Sequence, residues 1–377
     1  MPKSSSLKEI ALVFLKLGFF SFGGPAAHTA MMEEEVVNKR NWMDRQHFLD
    51  LLGATNLIPG PNSTEMTMHC GHERAGFWGL IVAGLSFILP AIFITGIFAW
   101  LYVNYGQLPE VEPFIYGIKP AVLAIITSAI LSLGKKAVKG YETAVLGALV
   151  LIAGIAGANE IAALLSAGIA GTIYFALKNK TFGKINSLIP VIAMPALSAV
   201  ASGITAWGLF WIFLKIGAVL YGSGYVLFAY LDAELVTRGW LTRQQLMDAV
   251  AVGQFTPGPI LSTVTFIGYI LAGTKGAILA TIGVFLPSFA FVLVLNPWIP
   301  KMRRSKIMGW FLDSVNVASI AVMASVLYVM SRDTLTDWRA ILIAFAAMTL
   351  TFAFKKTSAV LLVIGGSVAG YLLLMIQ

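Results

Sequence analysis

Apolar runs long enough to cross a bilayer recur along the whole chain between short polar connectors, and they form two series that read alike. Each series predicts a first helix (about 8–30 and 208–230) carrying one buried lysine and ending in glycines. A charged amphipathic connector follows, then an apolar segment broken by Pro-Gly-Pro (48–72 and 246–272). Next come a long helix with a central proline (76–103 and 276–296) and three further apolar segments (113–133, 142–157 and 160–177; 309–330, 338–354 and 358–376). The expected fold class is an all-α polytopic membrane protein.

The two series are homologous. Residues 42–61 align without a gap on 240–259, a shift of 198, and seven of the 20 pairs are identical: Trp42/Trp240, Arg45/Arg243, Gln46/Gln244, Asp50/Asp248, Pro59/Pro257, Gly60/Gly258 and Pro61/Pro259. Chance gives roughly one or two. Upstream, a shift of 199 matches Lys16 with Lys215 and Glu35 with Glu234. The expected organisation is one repeat over 1–178, a linker over 179–205 that is a candidate further crossing, and a second repeat over 206–377. Basic clusters at 135–139, 178–184, 301–306 and 355–356 all face the cytoplasm only if equivalent loops of the two repeats lie on opposite sides. Inverted-topology repeats are therefore expected, with substrate near the midplane. If the broken segments and the linker all cross, the count is 13; if the broken segments are re-entrant and the linker stays on one side, it is 10.

Composition supports this reading. The chain is 58% hydrophobic and 12% charged, against roughly a quarter charged in soluble domains. The net charge of +8 is assigned to cytoplasmic loops rather than to nucleic acid. A lone cysteine, Cys70, excludes an intramolecular disulfide framework. No phosphate-binding loop appears, so transport is expected to be secondary rather than ATP-driven. The run from His69 to Glu73 lacks the spacing of a zinc motif, and no metal is expected.

Pro-Gly-Pro ends one helix and starts another, because the first proline removes a donor and clashes with the preceding turn while the second suits a new first turn. Pro59-Gly60-Pro61 leads into Asn62, Ser63 and Thr64, all capping types, and Pro257-Gly258-Pro259 leads into Ile260, Leu261 and Ser262. Each break offers a half-helix whose free N–H groups and positive dipole end attract anions, with Asn56 and Gln254 flanking. The alternative is a pair of structural kinks. Lys16 and Lys215 sit inside apolar helices and are candidates to neutralise a dianion, or they snorkel to the interface. Gly23 with Gly24, and Gly222 with Ser223, either unwind the backbone toward a ligand or permit close packing. The repeated Glu35 with Arg45, and Glu234 with Arg243, are candidates for a gate or an anion entry site. Glu65, whose counterpart is Thr263, is a candidate proton carrier or a charge partner for the dipole.

Phe22-Gly23-Gly24-Pro25, the spacing from Glu35 to Trp42, and Leu57-Ile58-Pro59-Gly60-Pro61 have echoes in Lys215, Gly217, Gly222-Ser223-Gly224 and Phe255-Thr256-Pro257-Gly258-Pro259. Together they resemble the chromate ion transporter family, long two-domain type, over essentially the whole chain. The resemblance implies a multi-pass inner (plasma) membrane protein that moves chromate, often outward to confer resistance, with sulfate as the cross-reacting analogue. The expected partners are chromate or sulfate and the lipid bilayer, with no nucleic acid, no cofactor, no enzymatic activity, and a homodimer left open. Export by alternating access is the expectation; a sulfate or other anion permease, or an anion channel, is the alternative.

Overall fold

The computed structural model describes residues 4–21, 24–106, 108, 110–179, 205–221, 224–295, 305–354 and 357–375. The expected linker and the site candidates Gly23, Gly222 and Ser223 lie outside the described residues.

The first apolar run is not one helix. Helix α1 (Ser4–Phe20) stops at Ser21, and the chain returns as α2 (Gly24–Glu33) with a π-helical turn (Glu34–Lys39). In a straight helix residues 9 and 40 would stand about 45 Å apart. Instead Glu9 reaches Arg40 at 3.7 Å and accepts from Trp42 Nε1 at 3.3 Å. A second hairpin follows, made by α3 (Arg45–Thr55) and the first arm of α4 (Asn62–Tyr105). His47 Nε2 lies 3.2 Å from Glu73 Oε2 at its open end, so Pro-Gly-Pro forms its tip.

Helix α4 then reverses at Ala75 and Gly76. Gly76 takes φ +62°, a left-handed value open to glycine, and the arms close until a Cβ on Gly71 would fall 2.3 Å from the Gly79 carbonyl oxygen. The second arm makes the long pass, followed by α5 (Glu112–Ala137), α6 (Tyr141–Ile155) and α7 (Glu160–Lys178).

The second series repeats the design. It runs through α8 (Ala206–Val219), a 3₁₀ turn (Gly224–Val226), α9 (Leu227–Leu231), a π-helical turn (Asp232–Val236) and α10 (Arg243–Phe255). A 3₁₀ turn (Ile260–Ser262) opens α11 (Thr263–Leu295), and α12 (Lys306–Thr334), α13 (Trp338–Ala353) and α14 (Ala359–Met375) complete it. Helix α11 reverses at Ala272 and Gly273, and its angles (φ −149° and +59°) match those of Ala75 and Gly76 (φ −148° and +62°).

Equivalent helices run in opposite directions. The Lys139 ammonium, at the end of α5, meets Asp313 near the start of α12 at 2.6 Å, and Tyr116 near the start of α5 donates to Asp337, past the end of α12, at 2.6 Å. Among the described residues, five helices are long and apolar enough to cross a membrane: α4, α5, α7, α11 with its 3₁₀ turn, and α12. With both early segments folded back, four passes per series remain unfolded on themselves. The counts of 13 and 10 each take the first segment as a single crossing, where the chain folds back instead; the linker on which 13 also depends lies outside the described residues.

The last helices are exchanged. Helices α6 and α7 pack on α12 of the second series, while α13 and α14 pack on α5 of the first. Gly117 on α5 lies so close to α14 that a Cβ there would fall 2.0 Å from the Gly366 carbonyl oxygen.

Asp337 caps α13, accepting from the Ala340 N–H at 2.9 Å as well as from Tyr116. The Tyr116 hydroxyl holds this carboxyl below its ordinary range, against a smaller opposing effect of burial. Its contribution to stability is therefore present above the ordinary carboxylate pKa and fades as pH falls through the lowered one. Asp337→Ala should cost about 1 kcal/mol, read as a lower thermal midpoint whose difference from wild type shrinks in acid.

Candidate functional site

The two Pro-Gly-Pro tips meet the ends of α1 and α8. The Gly60 N–H donates to the Leu220 carbonyl at 2.7 Å, and the Gly258 N–H donates to the Ser21 carbonyl at 2.9 Å. Each Pro-Gly-Pro tip is thus held by the end of the first helix of the opposite series. This exchange satisfies backbone that the prolines free at membrane depth, where no solvent would do so.

At each tip a half-helix begins. Pro61 is extended (φ −79°, ψ 100°), and the Pro61 carbonyl accepts from Thr64 N–H at 2.8 Å and Glu65 N–H at 3.1 Å. The Asn62 and Ser63 N–H groups therefore precede the first intrahelical bonds. In the other copy, Pro259 is likewise extended (φ −70°, ψ 129°), but its helix opens with one 3₁₀ turn. A pocket of about 10 Å³, room for roughly one water, separates the two starts and is lined by His28, Pro61, Asn62, Ser63, Gly224, Ile260 and Leu261. His28 lies 3.2 Å from the Ser21 carbonyl through Nε2, while its buried Nδ1 has no partner among the described residues.

Beside the tips lies a cavity of about 890 Å³. Ser21, Asn56, Asn62, Gln254, Thr256 and Gly258 line it at the tips, and Ser128, Ser132 and Lys136 of α5 lead outward. Asn62 Nδ2 donates to Asn56 Oδ1 at 2.7 Å, tying the ends of one tip together. Tyr225 donates to Gln254 Oε1 at 3.4 Å, leaving the buried Gln254 Nε2 unpartnered among the described residues. Ser262 accepts from Thr95 at 3.2 Å. The arrangement places polar groups around a water-accessible space, with the Gln254 amide N–H and the first N–H groups of the half-helix still available to an oxyanion, and with Glu33, paired to Arg45, as a carboxylate in the same lining.

The remaining candidates lie further out. Lys16 binds Glu35 at 3.2 Å and Lys215 binds Glu234 at 2.7 Å, with Arg40 and Arg238 joining the same carboxylates. Burial works against the Glu35 charge, yet Lys16, Lys39 and Arg40 together hold its carboxyl below the usual range. Neither lysine lines the central cavity. Arg45 pairs with Glu33 at 2.9 Å rather than with Glu35, and Arg243 pairs with Asp232 at 3.5 Å and Asp333 at 3.3 Å rather than with Glu234. Folding back turns Glu35 and Glu234 toward the lysines of the preceding helix, so the earlier carboxylates meet the arginines. Gly24 opens α2. Among the described residues no group of three or more His, Cys, Asp and Glu side chains comes together as metal ligands do.

One cluster escaped the sequence reading. Asp248 on α10 is nearly buried, accepts from Tyr102 at 2.7 Å and lies 3.6 Å from the Lys119 ammonium on α5. Lys119 interrupts the apolar 113–133 segment and Asp248 is one of the repeated identities, so the signal was an intramembrane charge of each sign.

The comparisons with known proteins follow the same outline. The chromate transporter family model matches residues 8–172 and again 207–371. The chromate transport protein of Cupriavidus metallidurans is 31% identical over 97% of this chain and 92% of its own length. A probable chromate transport protein of Synechococcus elongatus is 30% identical over 97% and 95%, and the chromate transport protein of Pseudomonas aeruginosa is 27% identical over 99% and 94%. No solved structure matches. With both copies of the family pattern present and the relatives aligned nearly end to end, this multi-pass membrane protein belongs to the chromate transporter family.

Proposed function

We propose that the protein exports chromate from the cytoplasm across the inner membrane by alternating access, holding the dianion where the two half-helix starts meet. The observation that carries this reading is the reciprocal backbone exchange of the tips beside this cavity. Two partial positive helix ends and the Asn62 and Gln254 amides oppose the charge of a tetrahedral dianion, for which sulfate is the analogue. The cavity opens past Lys136, in a basic cluster, which favours a cytoplasmic mouth.

Alternating access is supported by a difference between the repeats. In the second, α9 packs against α12 and α7, with Tyr221 edge-on to Phe311 at 6.0 Å and the Ser319 hydroxyl donating to the Tyr221 carbonyl at 3.3 Å. In the first, the cavity separates α2 from α5, so Ala30 is exposed where its counterpart Ala229 is buried. Exchanging these two arrangements would close this cavity and open its mirror image on the other face. A carrier is favoured over a channel because the tips bond to one another across the midplane.

The test is chromate uptake into inverted vesicles, energised and not, with sulfate as competitor. Energy-dependent uptake blocked by sulfate is expected; its absence under every gradient would sink the proposal. Asn62→Leu and Gln254→Leu should each raise the half-saturating chromate concentration about tenfold, the loss of one hydrogen bond to a charged group.

A further inference from the structure

Glu65 stands at the fourth position of the first half-helix and is fully buried, and neither carboxylate oxygen has a hydrogen-bond partner among the described residues. It lies directly under the Pro-Gly-Pro tip. A Cβ on Gly60 would fall 2.1 Å from Glu65 Oε1 and 2.4 Å from Ser288 Oγ, so carboxyl and hydroxyl flank one small space beneath the tip backbone. Four elements bring polar groups toward it: Ser288 from α11, Tyr221 from the end of the first helix of the second series, His28 from α2 at the neighbouring pocket, and His69 one turn along its own helix.

An ionised carboxylate buried without a partner costs several kcal/mol. Besides the Ser288 hydroxyl across that space, the local compensation is the positive end of its half-helix. That is the same partial charge offered to a substrate anion, so a dianion at the tip and a charge on Glu65 compete for it. The second repeat lacks this competition: its counterpart Thr263 is a hydroxyl that donates to the Ile260 carbonyl at 2.7 Å and carries no titratable proton.

Resting on the anion-site reading above, we infer that Glu65 is the proton-binding residue of the transporter, and that one proton from bulk water joins its carboxylate when one dianion occupies the tips. The proton then moves with the anion, not against it. Export of the loaded site carries one net negative charge outward, so a negative-inside potential drives it and an inward proton gradient opposes it.

The test uses the purified full-length protein in detergent, with sulfate as ligand and calorimetry in two buffers of different ionisation enthalpy to count protons. At a pH alkaline enough to ionise Glu65 in the empty protein, wild type should take up about one proton per sulfate, and over that range its affinity should fall about tenfold per pH unit. Glu65→Gln should bind sulfate with no proton uptake and little pH dependence. Glu65→Thr, which copies the other repeat, should behave likewise and serves if the glutamine variant does not fold. His69→Gln should keep the proton. Sulfate binding by wild type without proton uptake overturns the inference and leaves the anion site standing; so does uptake that survives in both Glu65 variants. Absence of any sulfate or chromate binding removes the anion site, and the proton assignment with it.

Discussion

Chromate uptake into inverted vesicles is expected to fall about tenfold or more in Gly60→Ala, while Gly76→Ala keeps near wild-type transport. Both glycines have positive φ, +141° and +62°, so each alanine carries backbone strain of about 1–3 kcal/mol. Their surroundings separate them. At Gly76 nothing lies within 4 Å of the new Cβ, whereas at Gly60 the methyl drives into Glu65 and Ser288 and pushes against the bond to Leu220. Thermal unfolding should therefore show both variants destabilised, Gly60→Ala the more, with transport lost in it alone. Equal transport in the two would mean that the tip tolerates displacement and is not the binding locus.

The second large effect is expected at Lys119. Removing one member of a buried ion pair leaves its partner uncompensated, at about 3–5 kcal/mol. Lys119→Met strands Asp248 with only the Tyr102 hydroxyl, so little folded protein should be recovered, judged by a monodisperse peak after detergent extraction. Lys119→Met combined with Asp248→Asn removes both charges and should restore most of the yield. If the double variant is no better than the single one, the two residues act separately and the pair is not what holds α10 to α5.

How far the sequence could be read depended on the range of the interaction. Pro59-Gly60-Pro61 was legible because proline acts on its own turn and the one before it. Inversion was legible because loop charge reports sidedness without knowledge of packing. Folding back of residues 8–30 was not, since both arms are apolar and hydropathy cannot tell a crossing from a hairpin; Gly24, which opens α2, was also compatible with packing. For the same reason Lys16 and Lys215 read as ligands for an anion, although each lies opposite the glutamate 19 positions later once the chain reverses. Ser288 and Thr95 gave no signal, because nothing local distinguishes a hydroxyl that faces a tip from one that returns to its own helix.

The exchanged helices bear on how the protein is made. Helix α5 leaves the translocation machinery early, but surfaces that cover it belong to α13 and α14, which are synthesised long after it. Until they arrive, a stripe that includes Gly117 and Ala121 has only lipid to face. Arrival of α13 and α14, rather than insertion of each segment, is then the committing event in assembly. A ribosome stalled before residue 338 leaves an inserted but unlocked chain, open to membrane proteases.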